Sequence, residues 1–245
     1  MLPAVIGHRG ALAVAPENTL AGLEAARQAG ATWVELDVRF TRDSVPVIFH
    51  DNNLKRLAGR PGAIESLTAA EATQLRVGPT GTRETAGAAI PLMADVLDYL
   101  IAHDMGVVFE FKPAPKAHAR VGLAVQLIAE RWPAARPLPV FSSFSLRVMA
   151  ALARQPKPWP LALIADRLPV AWRWHAARCG LSGLHLYHRA ITANRVARIK
   201  GAGLWVGTYT VNDPAEARRL RSWGVDGIIT DDPARLIGAG DLSPG

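Results

Sequence analysis

Short runs of β-branched and aliphatic residues recur along the whole chain, separated by stretches whose apolar positions follow helical spacing. Val5–His8, Trp33–Val38, Val107–Phe111, Pro139–Ser142, Leu161–Ile164, Gly183–Tyr187, Trp205–Tyr209 and Val225–Ile229 read as strands. The helices between them carry recognisable punctuation. Asn18 is placed to cap a helix through Leu20, Leu23 and Ala26, with Gly30 as its left-handed stop. Asn212 or Asp213 before Pro214 opens another helix, and Asp232 before Pro233 opens the last. Eight strand–helix alternations predict an α/β protein of the (β/α)8, TIM-barrel type. A doubly wound open sheet is the alternative, but no glycine-rich phosphate loop follows the first strand.

Two features interrupt the alternation. Val45–Phe49 is a further β-prone run, and only six residues, with Thr41–Ser44 as the turn segment, separate it from the second strand. So short a link joins antiparallel neighbours, because a parallel crossover needs about a dozen residues or more. With Asp43 and Ser44 as the turn, Arg42 lies opposite Val45 and Asp37 opposite His50. Residues 52–90 then carry Gly59-Arg60-Pro61-Gly62 and Gly78-Pro79-Thr80-Gly81, and read as an insertion over the mouth of a single catalytic barrel spanning 1–245.

Barrel sites form where strands end and βα loops begin. His8, Glu35, Asp37, Glu110, Lys112, Ser142, Tyr209 and Asn212 all fall at or just past such ends. Glu35 and Asp37, two apart, face one side of their strand. With Glu110 they make an all-oxygen set suited to one divalent cation, Mg2+ or Ca2+. The ordinary alternative is that Arg39 or Lys112 neutralises them; three acids in apolar strands are costly to bury without a counterion. His8 and His50 can flank one scissile bond as acid and base. Arg9 adds a fixed charge suited to a phosphate oxygen, and Lys112 shares the face of Glu110. Phe144 and Tyr209 read as pocket walls, and His185 and His188 as rim packing or a substrate-hydroxyl contact. Ser142-Ser143 lacks a nucleophile-elbow context, which excludes a serine hydrolase.

At 245 residues and 49% apolar content, the chain can bury one large core. The single Cys179 excludes an internal disulfide framework and a cysteine metal cluster. A net charge of +7 comes from scattered arginines without a dense run, which favours anionic small molecules over nucleic acid. No apolar run reaches the roughly 18 residues of a membrane span, and the N-terminus lacks a basic leader, so a cytoplasmic protein is expected.

Taken in order, His8-Arg9-Gly10, Pro16-Glu17-Asn18-Thr19, Glu35-Leu36-Asp37-Val38, His50-Asp51, Glu110-Phe111-Lys112, Ser142-Ser143-Phe144, Tyr209-Thr210-Val211-Asn212 and Gly224 to Asp231 resemble the glycerophosphodiester phosphodiesterases, and most closely their cytosolic bacterial members. The resemblance implies a barrel, a divalent metal, and hydrolysis of glycerophosphodiesters to sn-glycerol 3-phosphate and an alcohol. It implies acid–base catalysis by His8 and His50, metal ligation by Glu35, Asp37 and Glu110, phosphate contacts from Arg9 and Lys112, and a substrate pocket at Glu17, Phe144, Tyr209 and Asn212. Many members carry Trp at Tyr209 and Asp-Gly where this chain has Asp43-Ser44. The expected partner is a small phosphodiester, with a homodimer as a further possibility. The rival readings are a lysophospholipase D or inositol-phospholipase-like enzyme with an apolar lip at Leu54, Leu57 and Ile64, and a noncatalytic glycerophosphodiester-binding protein.

Overall fold

The computed structural model describes residues 2–78, 87–156, 159–240 and 242. Its strands in chain order are β1 (Val5–His8), β2 (Trp33–Phe40), β3 (Pro46–Ile48), β4 (Arg76–Val77), β5 (Ala88–Ala89), β6 (Gly106–Phe111), β7 (Val140–Ser143), β8 (Leu161–Ala165), β9 (Gly183–Tyr187), β10 (Trp205–Tyr209) and β11 (Gly227–Thr230). Parallel pairing runs β1–β2–β6–β7–β8–β9–β10–β11 and returns to β1, closing an eight-stranded barrel. All eight predicted barrel strands are present, with ends shifted by a residue or two. The last begins at Gly227 because Asp226 turns its carboxylate to the Val206 N–H (2.8 Å) and the Lys200 ammonium (2.5 Å). The main core lies between barrel and helices, and a second cluster of Leu2, Ile6, Val108, Val140, Ala162 and Ile229 fills the barrel interior.

The lower end of that interior is closed by a size-for-size exchange across neighbouring strands. Trp33 lies opposite Gly106 in the register, and Trp205 opposite Gly183. A Cβ on either glycine would fall 2.1 Å and 2.0 Å from the facing indole, so only hydrogen leaves room for the ring.

The hairpin from β2 to β3 departs from its expected register by one residue. Val38 pairs with Ile48 and Phe40 with Pro46, and the Phe49 N–H reaches the Asp37 carbonyl. The loop is three residues long rather than two. Thr41 N–H donates to the Val45 carbonyl, Ser44 N–H donates to the Thr41 carbonyl, and Ser44 takes φ 67° in the left-handed region.

Helix capping also differs from expectation at one end. Helix α1 (Leu20–Gln28) is capped by Thr19, whose Oγ accepts from the Gly22 N–H at 3.1 Å, while Asn18 stands at φ 57° and sends its carboxamide into the barrel mouth. Gly30 follows the helix in the left-handed conformation, as predicted. Between Asn212 and Asp213, the cap of the helix over Pro214–Ser222 is Asp213.

Within 52–90, Leu54, Leu57, Ile64, Ala72, Val77 and Ile90 pack on Val47 and Phe49 of the hairpin arm. Leu54, Leu57 and Ile64 therefore face inward and form no apolar lip, which removes the support for a membrane-facing phospholipase reading. Of the second glycine loop expected there, residues 79–81 lie outside the described residues. None of the described helices is long and apolar enough to cross a membrane.

Two substitutions test these backbone arguments by urea denaturation. Ser44→Gly relieves a left-handed L-residue at some entropic cost and is expected to stabilise by about 0.5–1 kcal/mol. Gly183→Ala drives a methyl into Trp205 and is expected to destabilise by about 1–3 kcal/mol; unchanged stability would mean that the indole is free to move aside.

Candidate active site

Neighbouring strands bring the acids together. Asp37 on β2 lies opposite Glu110 on β6, and Glu35 lies opposite His8 on β1. Glu35, Asp37 and Glu110 are all buried, each offering a carboxylate oxygen within 4.8 Å of the others. Two cations border them. Lys112 Nζ is 2.6 Å from Glu110 and 3.3 Å from Asp37, and Arg9 Nε is 3.3 Å from Asp37. Arg39, the other cation considered, points away from the triad and pairs with Glu65 and the carbonyl of His50.

The three acids are not equivalent. Burial, reinforced by the charges of Asp37 and Glu110, pushes the Glu35 carboxyl well above its ordinary value. Burial and then Asp37 push Glu110 up to about 7. Asp37 moves the other way, because Lys112 and Arg9 outweigh its burial. Asn18 fixes that third carboxylate, donating from Nδ2 to Oδ2 at 2.8 Å and accepting the Asp37 N–H at 3.1 Å. Glu35 Oε1 is buried with no hydrogen-bond partner. An orphaned carboxylate oxygen in an all-oxygen donor set with surplus negative charge fits a hard divalent cation.

Each of the two histidines is held by a carboxylate. His8 Nδ1 is 2.6 Å from Asp231, and His50 Nδ1 is 2.7 Å from Asp51. Such contacts orient the rings and leave both Nε2 atoms for other partners. His8 Nε2 is 3.9 Å from Glu35. Behind Asp231, Asn212 donates from Nδ2 to the free carboxylate oxygen at 2.8 Å and accepts from Thr230 Oγ and the Asp231 N–H. Behind Asp51, Arg56 bridges to Glu17, which Arg9 also contacts at 2.7 Å. Burial holds the His50 imidazole below its usual value against the pull of Asp37.

Arg9, Asp37, His50 and Lys112 join the triad and its supports as described, and the other predicted site residues divide in two. His8, Glu35, Glu110, Phe144 and Tyr209 line a chamber of about 40 Å³ together with Ile164, His185 and Ile229. Glu17 and Asn212 instead spend their polar atoms on the supports of the histidines. His185 is not at the rim. It sits inside the barrel beside Trp205, opposite Gly207, with both ring nitrogens unpaired, and burial lowers its pKa to about 3 so that it stays neutral. His188 does lie at the rim, 3.4 Å from Glu216.

Sequence reasoning gave no role to Asp51, Asp231 or Arg56, and took Asn18 for a helix cap. Asp51 was visible beside His50. Asp231 stands 223 positions from His8, and only barrel closure brings them together.

A family profile described as the glycerophosphoryl diester phosphodiesterase family matches residues 8–235. A glycerophosphodiester phosphodiesterase of Caldanaerobacter subterraneus subsp. tengcongensis is 31% identical over 95% of this chain and 96% of its own length. A phosphodiesterase of Oleispira antarctica, solved in complex with the product sn-glycerol-3-phosphate, superposes with a TM-score of 0.92 at 32% identity, covering 97% of this chain and 96% of its own. A glycerophosphodiester phosphodiesterase of Thermotoga maritima superposes with a TM-score of 0.78 at 26% identity, covering 98% and 99%. The profile runs from the histidine of the first strand into the last helix and takes in the acids, both histidines and Lys112; the chain belongs to the glycerophosphoryl diester phosphodiesterase family.

Proposed function

We propose that this protein hydrolyses glycerophosphodiesters to sn-glycerol 3-phosphate and an alcohol, in a metal-dependent reaction with two histidines as acid and base. The observation that carries this reading is the pair of carboxylate-held imidazoles beside a buried acid triad. Binding a diester requires positive charge; it does not require two oriented proton carriers.

Glu35, Asp37 and Glu110 would hold a Mg2+ or Ca2+ ion, which when bound supplies Lewis-acid charge for the phosphoryl oxygens. Arg9 and Lys112 place fixed positive charge next to the same position and stabilise the negative charge that builds up on phosphorus-bound oxygen. In the first step the glycerol 2-hydroxyl attacks phosphorus, one imidazole takes its proton, and the other gives a proton to the oxygen of the departing alcohol. In the second, water opens the cyclic phosphate and the protons return the opposite way. Asp231 and Asp51 keep each ring in the tautomer that presents Nε2, and Asn212 and Arg56 keep the carboxylates in place. His185 lines the chamber with both ring nitrogens unpaired, and a glycerol hydroxyl reaching the ring would satisfy one of them.

Exhaustive chelation should abolish glycerol 3-phosphate release, and added divalent cation should restore it; full activity in the chelated protein would contradict the metal assignment. Glu35→Gln should weaken metal binding measured by calorimetry, whereas His8→Ala and His50→Ala should stop turnover with metal binding retained. Asp231→Asn and Asp51→Asn should each lower kcat by about 10²-fold or more with little change in KM, since the ring loses its tautomer rather than its place. A purely structural role for these aspartates would instead appear as lost stability at unchanged kcat.

A further inference from the structure

A larger cleft opens beside the catalytic chamber at the same end of the barrel. It has a volume of about 580 Å³ and is lined by Asp166 and Arg167 after β8, Tyr187 at the end of β9, Arg189 and Ala190 just beyond it, and Arg195 in the helix over Ala193–Lys200. Three guanidiniums face one carboxylate there. Arg167 and Arg189 form no ion pair among the described residues, and the Arg195 guanidinium donates to the Ala190 carbonyl and to no carboxylate among them. Arginines gathered in a cleft with so little counter-charge make a local site for an anion.

The cleft is joined to the chamber by aromatic side chains. Phe144 and Tyr209 line the chamber and meet edge to face at 6.0 Å, and Tyr209 lies 6.2 Å from Tyr187 in the cleft wall. Tyr209 Oη also donates to Asp166, another wall residue, at 3.2 Å. These rings run from the chamber to the arginines, in the direction a substituent of a molecule bound beside the triad would take to reach them.

We propose that the Arg167–Arg189–Arg195 cleft is the subsite for the departing alcohol, and that it selects glycerophosphodiesters whose alcohol carries a second anionic group. The inference rests on the diesterase reading above and names its substrate class. Cationic head groups such as choline find only Asp166 there, surrounded by like charge, while a second phosphate meets a forked donor set.

The test compares bis(glycerophospho)glycerol, which bears two phosphodiesters, with glycerophosphocholine, on the metal-loaded wild type and on an Arg167→Ala/Arg189→Ala/Arg195→Ala variant. Wild type is expected to favour the doubly charged substrate in kcat/KM, and the variant to raise its KM by about tenfold while leaving glycerophosphocholine turnover nearly unchanged. The preference should shrink with added salt, and a triple Lys variant should recover part of it. Calorimetric binding of bis(glycerophospho)glycerol to wild type and variant reads the cleft independently of turnover. Equal binding by the two proteins, or a kcat/KM ratio that the substitutions do not move, overturns the proposal. Failure to hydrolyse either substrate counts against the diesterase reading instead, and the binding comparison still decides the cleft.

Discussion

Mutual repulsion among three buried carboxylates is the constraint around which this molecule is organised. Like charges 4.8 Å apart repel by about 3 kcal/mol at the effective dielectric of a protein interior. The surrounding groups answer that repulsion unevenly. Lys112, Arg9 and Asn18 keep Asp37 ionised, while Glu35 and Glu110 are left under electrostatic pressure that a divalent cation would relieve. The backbone is bent to the same end. Arg9 and Asn18, both adjoining the triad, adopt φ values of 51° and 57°, conformations that residues other than glycine seldom take and that cluster at functional sites.

Around the acids, two networks of similar design reach the histidines from opposite ends of the chain. One uses Asp51, Arg56 and Glu17, all early in the sequence; the other uses Asp231, Asn212 and Thr230, all late. They meet only because β11 closes against β1. Barrel closure thus assembles the site as well as the fold: a sheet left open at that seam would keep its acids and lose the partner of His8.

The barrel was legible because each strand is a short apolar run with its polar residues at the C-terminal end, a pattern that survives without tertiary information. The acid triad was legible for the same reason: Glu35 and Asp37 share a face by alternation alone, and Glu110 stands one residue before the end of the next barrel strand. What escaped the sequence depends on geometry that periodicity does not encode. The hairpin register turned on whether the loop held two residues or three, which Ser44 decided by entering the left-handed region. Asn18 looked like a helix cap because its chemistry suits one, yet Thr19 next to it suits the task as well, and the buried Asp37 claimed the carboxamide. His185 gave no sign of its depth, since a histidine within a β-prone segment reads the same at the rim as inside.

The indole-over-glycine exchange at the lower end of the barrel bears on traffic through the site. Trp33 and Trp205 lie across Gly106 and Gly183, and the apolar cluster of Leu2, Ile6, Val108, Val140, Ala162 and Ile229 fills the barrel interior, so the described residues pack the end of the barrel opposite the acids. With that end packed, a substrate entering at the loop end and its fragments leaving there would share one mouth, and the fragment nearer solvent would vacate first.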